Sequence, residues 1–585
     1  MFFIDYKRDN GGVVLETRVK ERDTPSSLKL SADGHSFYVG DLFGNSSEEL
    51  FECEWKNNPR VLSEYCSALY IVSYGDNECS FAADISGREL LFYYYSQDRF
   101  VLSDSFWGIL KRIQPSFSDL DREAIGEIIT MGGGVPCDYI TPIKGLKWLG
   151  ANCSGSFNAS SWKLTVRSFD DIRRSCEVHN IDEAVESFDA DMTSMAHILG
   201  NRHPDAVFGL GLSGGLDSRI ALHYLGKAGL DVVCFNVGKS KPHGLFFANS
   251  LKKARELADL ANVGLTEVEW NPKTVRTKLD LMLRNQPLGT GGHYTNAYKY
   301  ESEGRPLFDV LVTGGQAIGP MLVGVSVLDS SDEMSYESVI SYLVHLATGE
   351  VRAYPYTENS IRKQLIQLGI GSLDINKGNN FELWNKIIGS TPYERIASKI
   401  RHFVDDCMGR GYTSSDITLD YRTRVLGPTG RNGAYESGLG TEKSYTIYTP
   451  FLIKDGLKWD ASLLENRRIL RELIAKKIPE FYRVGEETFG SVKRKRSKAS
   501  LFAQKTVFAL RGSGIMTDEW YFKHPVIRDS YLEDMTNSCE WFYELFPEAK
   551  DYAGILNMSP ARMNSIWESK RLIDCIEDKR YLEFE

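Results

Sequence analysis

The sequence predicts an α/β protein in two parts. A strand-rich N-terminal part precedes a region of alternating strands and helices that becomes mostly helical towards the C-terminus. Three observations lead there. Apolar and polar residues alternate in short runs over the first 110 residues, as in Ser67–Tyr74 (SALYIVSY), the two-residue period of half-buried strands. From Asp182 to Leu199 the spacing turns helical, with Ala184, Val185, Phe188, Met192, Met195, Ala196 and Leu199 at steps of three and four. Beyond that helix, strand-like apolar runs alternate with helical ones, and after about residue 330 helical spacing prevails.

Within the first part, Leu90–Tyr95 and Phe100–Ser103 read as strands separated by Gly, Asp and Asn clusters. Asp121–Thr130 (DREAIGEIIT) reads as a helix, Met131–Pro136 (MGGGVP) as a glycine-rich turn, and 151–170 as a strand pair. The boundary falls between 165 and 180, giving domains over 1–165 and 175–585. No internal repeat or low-complexity tract interrupts them.

Composition narrows the function. Hydrophobic residues at 42% and charged residues at 25% exclude a disordered, collagen-like or coiled-coil chain as a whole. A formal net charge of −10 argues against general nucleic-acid binding, because that affinity comes from neutralising phosphates. The ten cysteines are scattered and form no C-x-x-C pair, so no zinc ribbon or redox motif is visible. The first residues, MFFIDYKRDNGG, lack the apolar stretch of a signal peptide, and no run is long and apolar enough for a membrane span. A cytoplasmic protein is the expectation. The one strongly basic run, Lys493–Lys498 (KRKRSK), reads as a solvated loop or as a clamp for an anionic substrate.

Chemistry concentrates in Ala206–Leu225 (AVFGLGLSGGLDSRIALHYL). An apolar strand with Val207, Phe208, Leu210 and Leu212 leads into Ser213-Gly-Gly-Leu-Asp-Ser218, and a helical pattern follows. Strand, glycine turn and helix together aim backbone N–H groups at an anion. Gly214 and Gly215 allow close approach of the backbone, while Ser213 and Ser218 supply hydroxyl donors. Asp217 would repel a phosphate unless a cation sits between them, which implies Mg²⁺. No Lys follows the glycines, so the loop is not a Walker A motif. Gly209, Gly211 and Gly214 formally satisfy G-x-G-x-x-G, but the next strand, Asp231–Val237, ends without the acidic residue a ribose needs.

Ser213–Ser218 resembles the pyrophosphate loop of the N-type ATP pyrophosphatases, and the order of parts resembles the asparagine synthetase (glutamine-hydrolysing) family. Ala83–Tyr94 (ADISGRELLFYY), Leu120–Gly150, Val310–Gly314 (VLVTG) and Tyr448–Leu452 (YTPFL) followed by Arg467–Ile478 resemble successive segments of that family. The resemblance implies an Ntn-hydrolase-like N-terminal sandwich and a Rossmann-like synthetase domain with a mostly helical C-terminal part. It implies ATP held by Leu212, Ser213, Gly214, Gly215, Leu216, Asp217 and Ser218. Phe235, Val237 and Gly238 would contact adenine, with Thr313 and Gly314 closing over the nucleotide. Mg²⁺ would sit on Asp217, and Asp217 and Arg219 would be the catalytic residues.

The chain also departs from the family. The glutaminase half needs an N-terminal Cys, but position 2 is Phe2 and the nearest cysteine is Cys53. Gly315, Ile318 and Gly319 stand where the family carries carboxylates, leaving Asp309 or a residue of 285–300 to substitute. Tyr448 replaces an Arg and Ile453 an Asp around the P-F-L segment. Further candidates are His293 in Gly289–Tyr294, and the group Asp416, Asp420, Arg422, Arg424 and Arg431.

The expectation is an ATP-dependent ligase that adenylates a carboxylate and forms an amide, releasing AMP and pyrophosphate. Without its own glutaminase, it would take the amine from ammonia, a partner amidotransferase or the substrate itself. The last case resembles β-lactam synthetases and lasso-peptide cyclases. The carboxylate would belong to a small molecule, a peptide or a sugar acid. Two other readings are an ATP-binding protein of this fold that has lost its chemistry, and RNA thiolation, for which no reactive Cys pair or RNA-binding domain is visible.

Overall fold

The structure is a computed structural model that describes residues 1–9, 12–21, 27–43, 46–65, 67–85, 87, 89–131, 138–169, 172–237, 250–268, 283, 308–313, 335–347, 386–421, 423–424, 443–446, 455–464, 467–485, 525–537, 540–551, 555 and 560–584. The period-2 runs of the first part become two antiparallel sheets. The first contains β1 (Phe3–Asp9), β2 (Gly12–Arg18), β7 (Phe92–Tyr95), β8 (Arg99–Ser103) and β9 (Leu146–Trp148), in the order β2-β1-β8-β7-β9. The second contains β3 (Leu28–Leu30), β4 (Ser36–Leu42), β5 (Ser67–Tyr74), β6 (Glu78–Ala83), β10 (Cys153–Asn158) and β11 (Lys163–Ser168), in the order β11-β10-β6-β5-β4-β3.

These sheets bury a shared core. Ile4, Tyr6, Phe100 and Leu102 of the first join Val39, Tyr70, Val72, Phe81 and Phe157 of the second, and the Phe100 and Phe157 rings stack at 4.2 Å. Successive residues of a strand point to opposite faces, so Asp5 leaves the core shared by Ile4 and Tyr6. It is fully buried and ion-paired to Arg99 at 2.7 Å and Arg112 at 2.9 Å.

Helices follow as α1 (Ser47–Glu52), α2 (Phe106–Ile113), α3 (Arg122–Met131), α4 (Ile181–Arg202), α5 (Leu216–Lys227) and α6 (Ser250–Ala261). The later ones are α7 (Tyr336–Ala347), α8 (Thr391–Gly409), α9 (Arg468–Lys477), α10 (Pro479–Tyr482), α11 (Pro525–Thr536), α12 (Glu540–Leu545) and α13 (Pro560–Glu577). The helix expected at 121–130 is α3, one residue later, whereas 132–136 of the glycine-rich turn lie outside the described residues. The residues spaced for a helix over 182–199 are the buried residues of α4.

Strand pairing is antiparallel up to Ser168 and parallel from Val207 onward. The parallel sheet holds β12 (Val207–Gly211), β13 (Asp231–Val237), β14 (Leu265–Val268), β15 (Val310–Thr313) and β16 (Lys443–Thr446), in the order β14-β13-β12-β15-β16. The short strand β16, within the region expected to be helical, carries no apolar run that would have announced it. Phe208, Leu210, Val232, Cys234, Val310 and Val312 pack in one core with residues of α4, α5, α6 and α9.

A third core crosses from one half of the chain to the other. Phe92, Val101 and Trp148 of the first sheet share it with α2, α3, α8 and the C-terminal helices α11 to α13. At its edge the nearly buried Glu127 of α3 accepts from Arg395 and Lys399 of α8, both at 2.6 Å. Among the described residues no helix is long and apolar enough to cross a membrane.

Candidate functional site

In the parallel sheet the chain starts at β12, steps outward through β13 and β14, and then crosses to the opposite side for β15 and β16. That reversal beside β12 is a topological switch point, where ligands of open α/β sheets bind beyond the carboxyl ends of the strands. Ser213–Ser218 lies there, between β12 and α5. The register sets Phe235 beside Gly211 and Val312 beside Leu210. Val237 and Thr313, the last residues of β13 and β15, therefore end on the same rim as the loop. Gly238 and Gly314 lie outside the described residues.

The loop is tied internally. The N–H of Ser213 donates to Ser218 Oγ at 3.1 Å, and Ser218 Oγ donates to the Ser213 carbonyl at 3.2 Å. Ser213 Oγ accepts from the N–H of Gly215 at 3.1 Å. The two serines, expected as donors to an anion, thus brace the turn itself. A Cβ on Gly215 would stand 3.1 Å from Ser213 Oγ, a tight approach that favours glycine. Gly215 is also the N-cap of α5, and the first N–H groups of a helix are the ones without a partner inside it.

Arg219 does not point at the rim. It is fully buried, and its guanidinium donates inward to backbone carbonyls. Nε reaches Gly215 O at 3.0 Å, and Nη2 reaches Gly214 O at 2.8 Å and Gly485 O at 3.2 Å. Nη1 reaches Phe481 O at 3.1 Å and Val484 O at 2.9 Å. These five bonds match the five N–H donors of a guanidinium. The role expected for Arg219 as a catalytic residue is corrected accordingly: it positions the loop.

That positioning has a direction. In a trans peptide the C=O and N–H point opposite ways. Drawing the carbonyls of Gly214 and Gly215 towards Arg219 turns the N–H groups of Gly215 and Leu216 away from it. The first goes to Ser213 Oγ, and the second lies at the start of α5 on the side opposite the guanidinium. The buried positive charge beneath also favours an anion above.

Asp217, in the first turn of α5, is about one-fifth exposed, and its carboxylate lies 3.4 Å from Arg467 Nη1. Mg²⁺ binds through one or two carboxylates plus substrate phosphates and water. Among the described residues no group of three or more His, Cys, Asp or Glu is placed to hold a metal ion. A single rim carboxylate of this kind fits a metal that arrives with the phosphates.

The other expected residues are distributed as follows. Leu212 and Leu216 are buried, and the Leu212 N–H donates to Phe235 O at 2.9 Å. Phe235 is buried, with its ring stacked on Phe308 at 5.6 Å, so its side chain is packing rather than a surface for adenine. Asp309 sits at the wrong end of the sheet. Its carboxylate accepts from the Val207 N–H at 2.9 Å, about 13 Å of strand before the loop, and it cannot replace the missing carboxylates. Asp416 accepts from Thr413 and from the Arg174 N–H. Asp420 and Arg424 form a buried pair, and Arg424 also donates to Ala151 O at 3.3 Å. Both belong to packing against the N-terminal sheets and not to phosphate capture. Arg422, Arg431, 285–300 with His293, 315–319, 448–453 and 493–498 lie outside the described residues.

Phe2 stands where the resemblance would call for a nucleophilic cysteine. Its ring is buried edge-on against Phe37 at 4.7 Å, and its N–H donates to Asp104 at 2.9 Å. Cys53 follows α1 and donates its thiol to Leu50 O at 3.0 Å.

Sequence reasoning missed three contributors. Asn236, a buried amide near the end of β13, donates to Leu212 O at 2.6 Å and holds the strand end that launches the loop. Its polarity within DVVCFNV was the available signal. Arg467 and the carbonyls of 481–485 come from 250 or more residues away; Arg467–Ile478 was singled out only as a segment resembling the family, with no contact to the loop expected. Comparison with protein families finds no matching family, and comparison with curated proteins finds no match.

Proposed function

We propose that this chain is an asparagine-synthetase-like, ATP-dependent ligase that adenylates a carboxylate and then forms an amide. In this reading the parallel sheet is a Rossmann-like nucleotide domain, for which the strand order and its switch point are the support. The N-terminal part is an Ntn-like platform in this reading, for which the two antiparallel sheets around a shared core are the support. The observation that carries the proposal is the Ser213–Ser218 turn, with its peptides oriented by Arg219 at the carboxyl end of the central strand.

ATP is the substrate, and Asp217 holds the Mg²⁺ that accompanies it. The metal supplies neutralising charge at the phosphates. The loop N–H groups and the N-terminus of α5 orient the β- and γ-phosphates, and preorganised dipoles of this sort stabilise charge on the departing pyrophosphate. A carboxylate oxygen of the acceptor attacks the α-phosphorus, pyrophosphate leaves, and an amine displaces AMP. Ammonia, a partner amidotransferase or the acceptor itself supplies that amine.

A second reading, a MgATP-binding protein without turnover, is favoured by the position of Asp309 at the far end of the sheet. Pyrophosphate release from ATP, measured over a panel of small, peptide and sugar-acid carboxylates, separates the two. The ligase predicts release that depends on one carboxylate class and falls at least 100-fold in Asp217→Ala. Tight MgATP binding with no release over the whole panel establishes the second reading.

A further inference from the structure

We infer that the outer edge of β2 is a docking surface for a second copy of this chain, the two β2 strands pairing antiparallel across a twofold axis at Thr17. The inference concerns the N-terminal part alone and is independent of the nucleotide reading above.

The two antiparallel sheets end in four edge strands, β2 and β9 in the first and β11 and β3 in the second. β9 buries Leu146 and Trp148, and β3 buries Leu28. β11 is exposed, but it carries Lys163 and Arg167 and no acidic residue, a charge pattern that resists pairing with a strand of the same sequence. β2 differs. Every residue from Gly12 to Arg18 is exposed except Leu15, which is half-buried. The strand holds no Lys or Pro, and its pairing with β1 runs over all seven residues without a bulge. Val13 and Val14 are among the few large apolar side chains exposed among the described residues. An open, straight edge with exposed valines invites another strand.

The ladder shows which backbone groups are open. The Arg8 N–H donates to Asp98 O at 2.8 Å, on the β8 side of β1. Bonding alternates between the two sides of an antiparallel strand, so Ile4, Tyr6 and Arg8 bond towards β8, while Phe3, Asp5, Lys7 and Asp9 bond towards β2. The partners of the latter on β2 are Arg18, Glu16, Val14 and Gly12. The N–H and C=O groups of Val13, Leu15 and Thr17 therefore point away from β1, along the open edge.

Charge and apolarity choose the occupant and the register. β2 carries one acid, Glu16, and one base, Arg18, so it complements itself when reversed. A twofold axis at Thr17 sets Glu16 of each copy opposite Arg18 of the other, at a non-hydrogen-bonded position where facing side chains stand closest. The same axis sets Leu15 opposite Val19, and both of these pack partly buried on the core shared by the two sheets. An axis at Glu16 would oppose two carboxylates. An axis at Leu15 would leave Glu16 facing Val14 and Arg18 facing Gly12. Glu16 already meets Arg112 at 3.0 Å and Lys7 at 3.8 Å, yet its side chain is 52% exposed, so a further cation reaches it. The pairing is isologous and closes at two copies.

The test is sedimentation velocity of the full-length protein from about 1 to about 100 μM. A strand pair of this length is small beside a standard interface, so the dimer should form progressively with concentration. Thr17→Pro removes an N–H that points outward and none that bonds β1, a position where an edge strand accepts proline. It should stay monomeric over the whole range, with its thermal midpoint within about 3 °C of wild type. Arg18→Glu leaves the backbone untouched, opposes carboxylates at two places in the dimer, and should raise the dissociation constant by about tenfold or more. A wild type that sediments as a monomer throughout overturns the proposal. A wild-type dimer that persists unchanged in both variants places the interface elsewhere and also overturns it. If Thr17→Pro lowers the midpoint further than stated, Arg18→Glu decides alone: an unchanged dimer overturns the proposal and a weakened one supports it.

Discussion

Replacing Arg219 with Met probes the loop from beneath. Met keeps an unbranched apolar stem as far as the position of Nε but removes the guanidinium, and with it every donor and the charge. Five carbonyls, those of Gly214, Gly215, Phe481, Val484 and Gly485, then lose a bond of 2.8–3.2 Å in a fully buried setting. Each bond to a charged donor is worth about 1.5–3 kcal/mol. They do not add, because one residue makes them all, and a single substitution that costs more than about 4–5 kcal/mol is exceptional. Against a usual stability of about 5–15 kcal/mol, the variant folds with reduced margin. Urea unfolding followed by tryptophan fluorescence measures the stability, and calorimetric titration on the still-folded variant measures MgATP binding. Both should fall, the affinity by at least tenfold, because the peptides of 214–216 lose the partner that orients them. Arg219→Lys should be intermediate, since an ammonium retains the charge but has three donors for five carbonyls. A Met variant with unchanged MgATP affinity would refute the claim that Arg219 orients the loop, whatever its effect on stability.

Two further substitutions test other parts of the account. Gly209→Ala would place a Cβ 2.2 Å from the Phe308 ring, which is itself stacked on Phe235; overpacking of this sort costs about 1–3 kcal/mol, read as a lower urea midpoint, and an unchanged midpoint would contradict the packing described. Asp191 in α4 is pushed up to about 7 by burial and by the adjacent Asp455, with Lys458 opposing. A carboxyl whose pKa is raised on folding adds stability at low pH and loses it as pH rises from about 4 to about 7. Asp191→Asn should therefore gain about 1–2 kcal/mol on wild type at pH 8, after allowance for partial exposure, and little at pH 5. An identical difference at both pH values would refute the raised pKa.

Much of the fold was legible because burial imposes periodicity. The seven apolar positions of α4 were readable from spacing alone, since one helix face packs on the sheet. Strands β5 and β13 were readable in their bounds, but the period of two expected for β5 was not borne out, because consecutive residues Leu69–Ser73 are buried and both faces of the strand are covered. The edge strand β16 was not, because four residues of mixed polarity carry no period. The turn at 213–218 could be located from its glycines and serines, yet the work of Arg219 could not. Arg219, one residue past the motif, was expected as a catalytic residue by resemblance, and only its burial and the carbonyls of 481–485 show it facing the other way. Asp309 was a plausible substitute by sequence proximity to β15, but a parallel strand has two distant ends, and it stands at the one without the loop. Arg467 joins Asp217 only through the packing of α9 against the α5 core, a relation between distant segments that no local pattern encodes.

The most direct measurement is amide hydrogen exchange over a peptide spanning 206–225, with and without saturating MgATP. The account predicts slowed exchange confined to 213–218 and the first turn of α5, with a smaller effect from AMP and none from Mg²⁺ alone. Exchange in that peptide that stays unchanged at a MgATP concentration known to saturate the protein would place the nucleotide elsewhere and contradict the claim that this turn grips it.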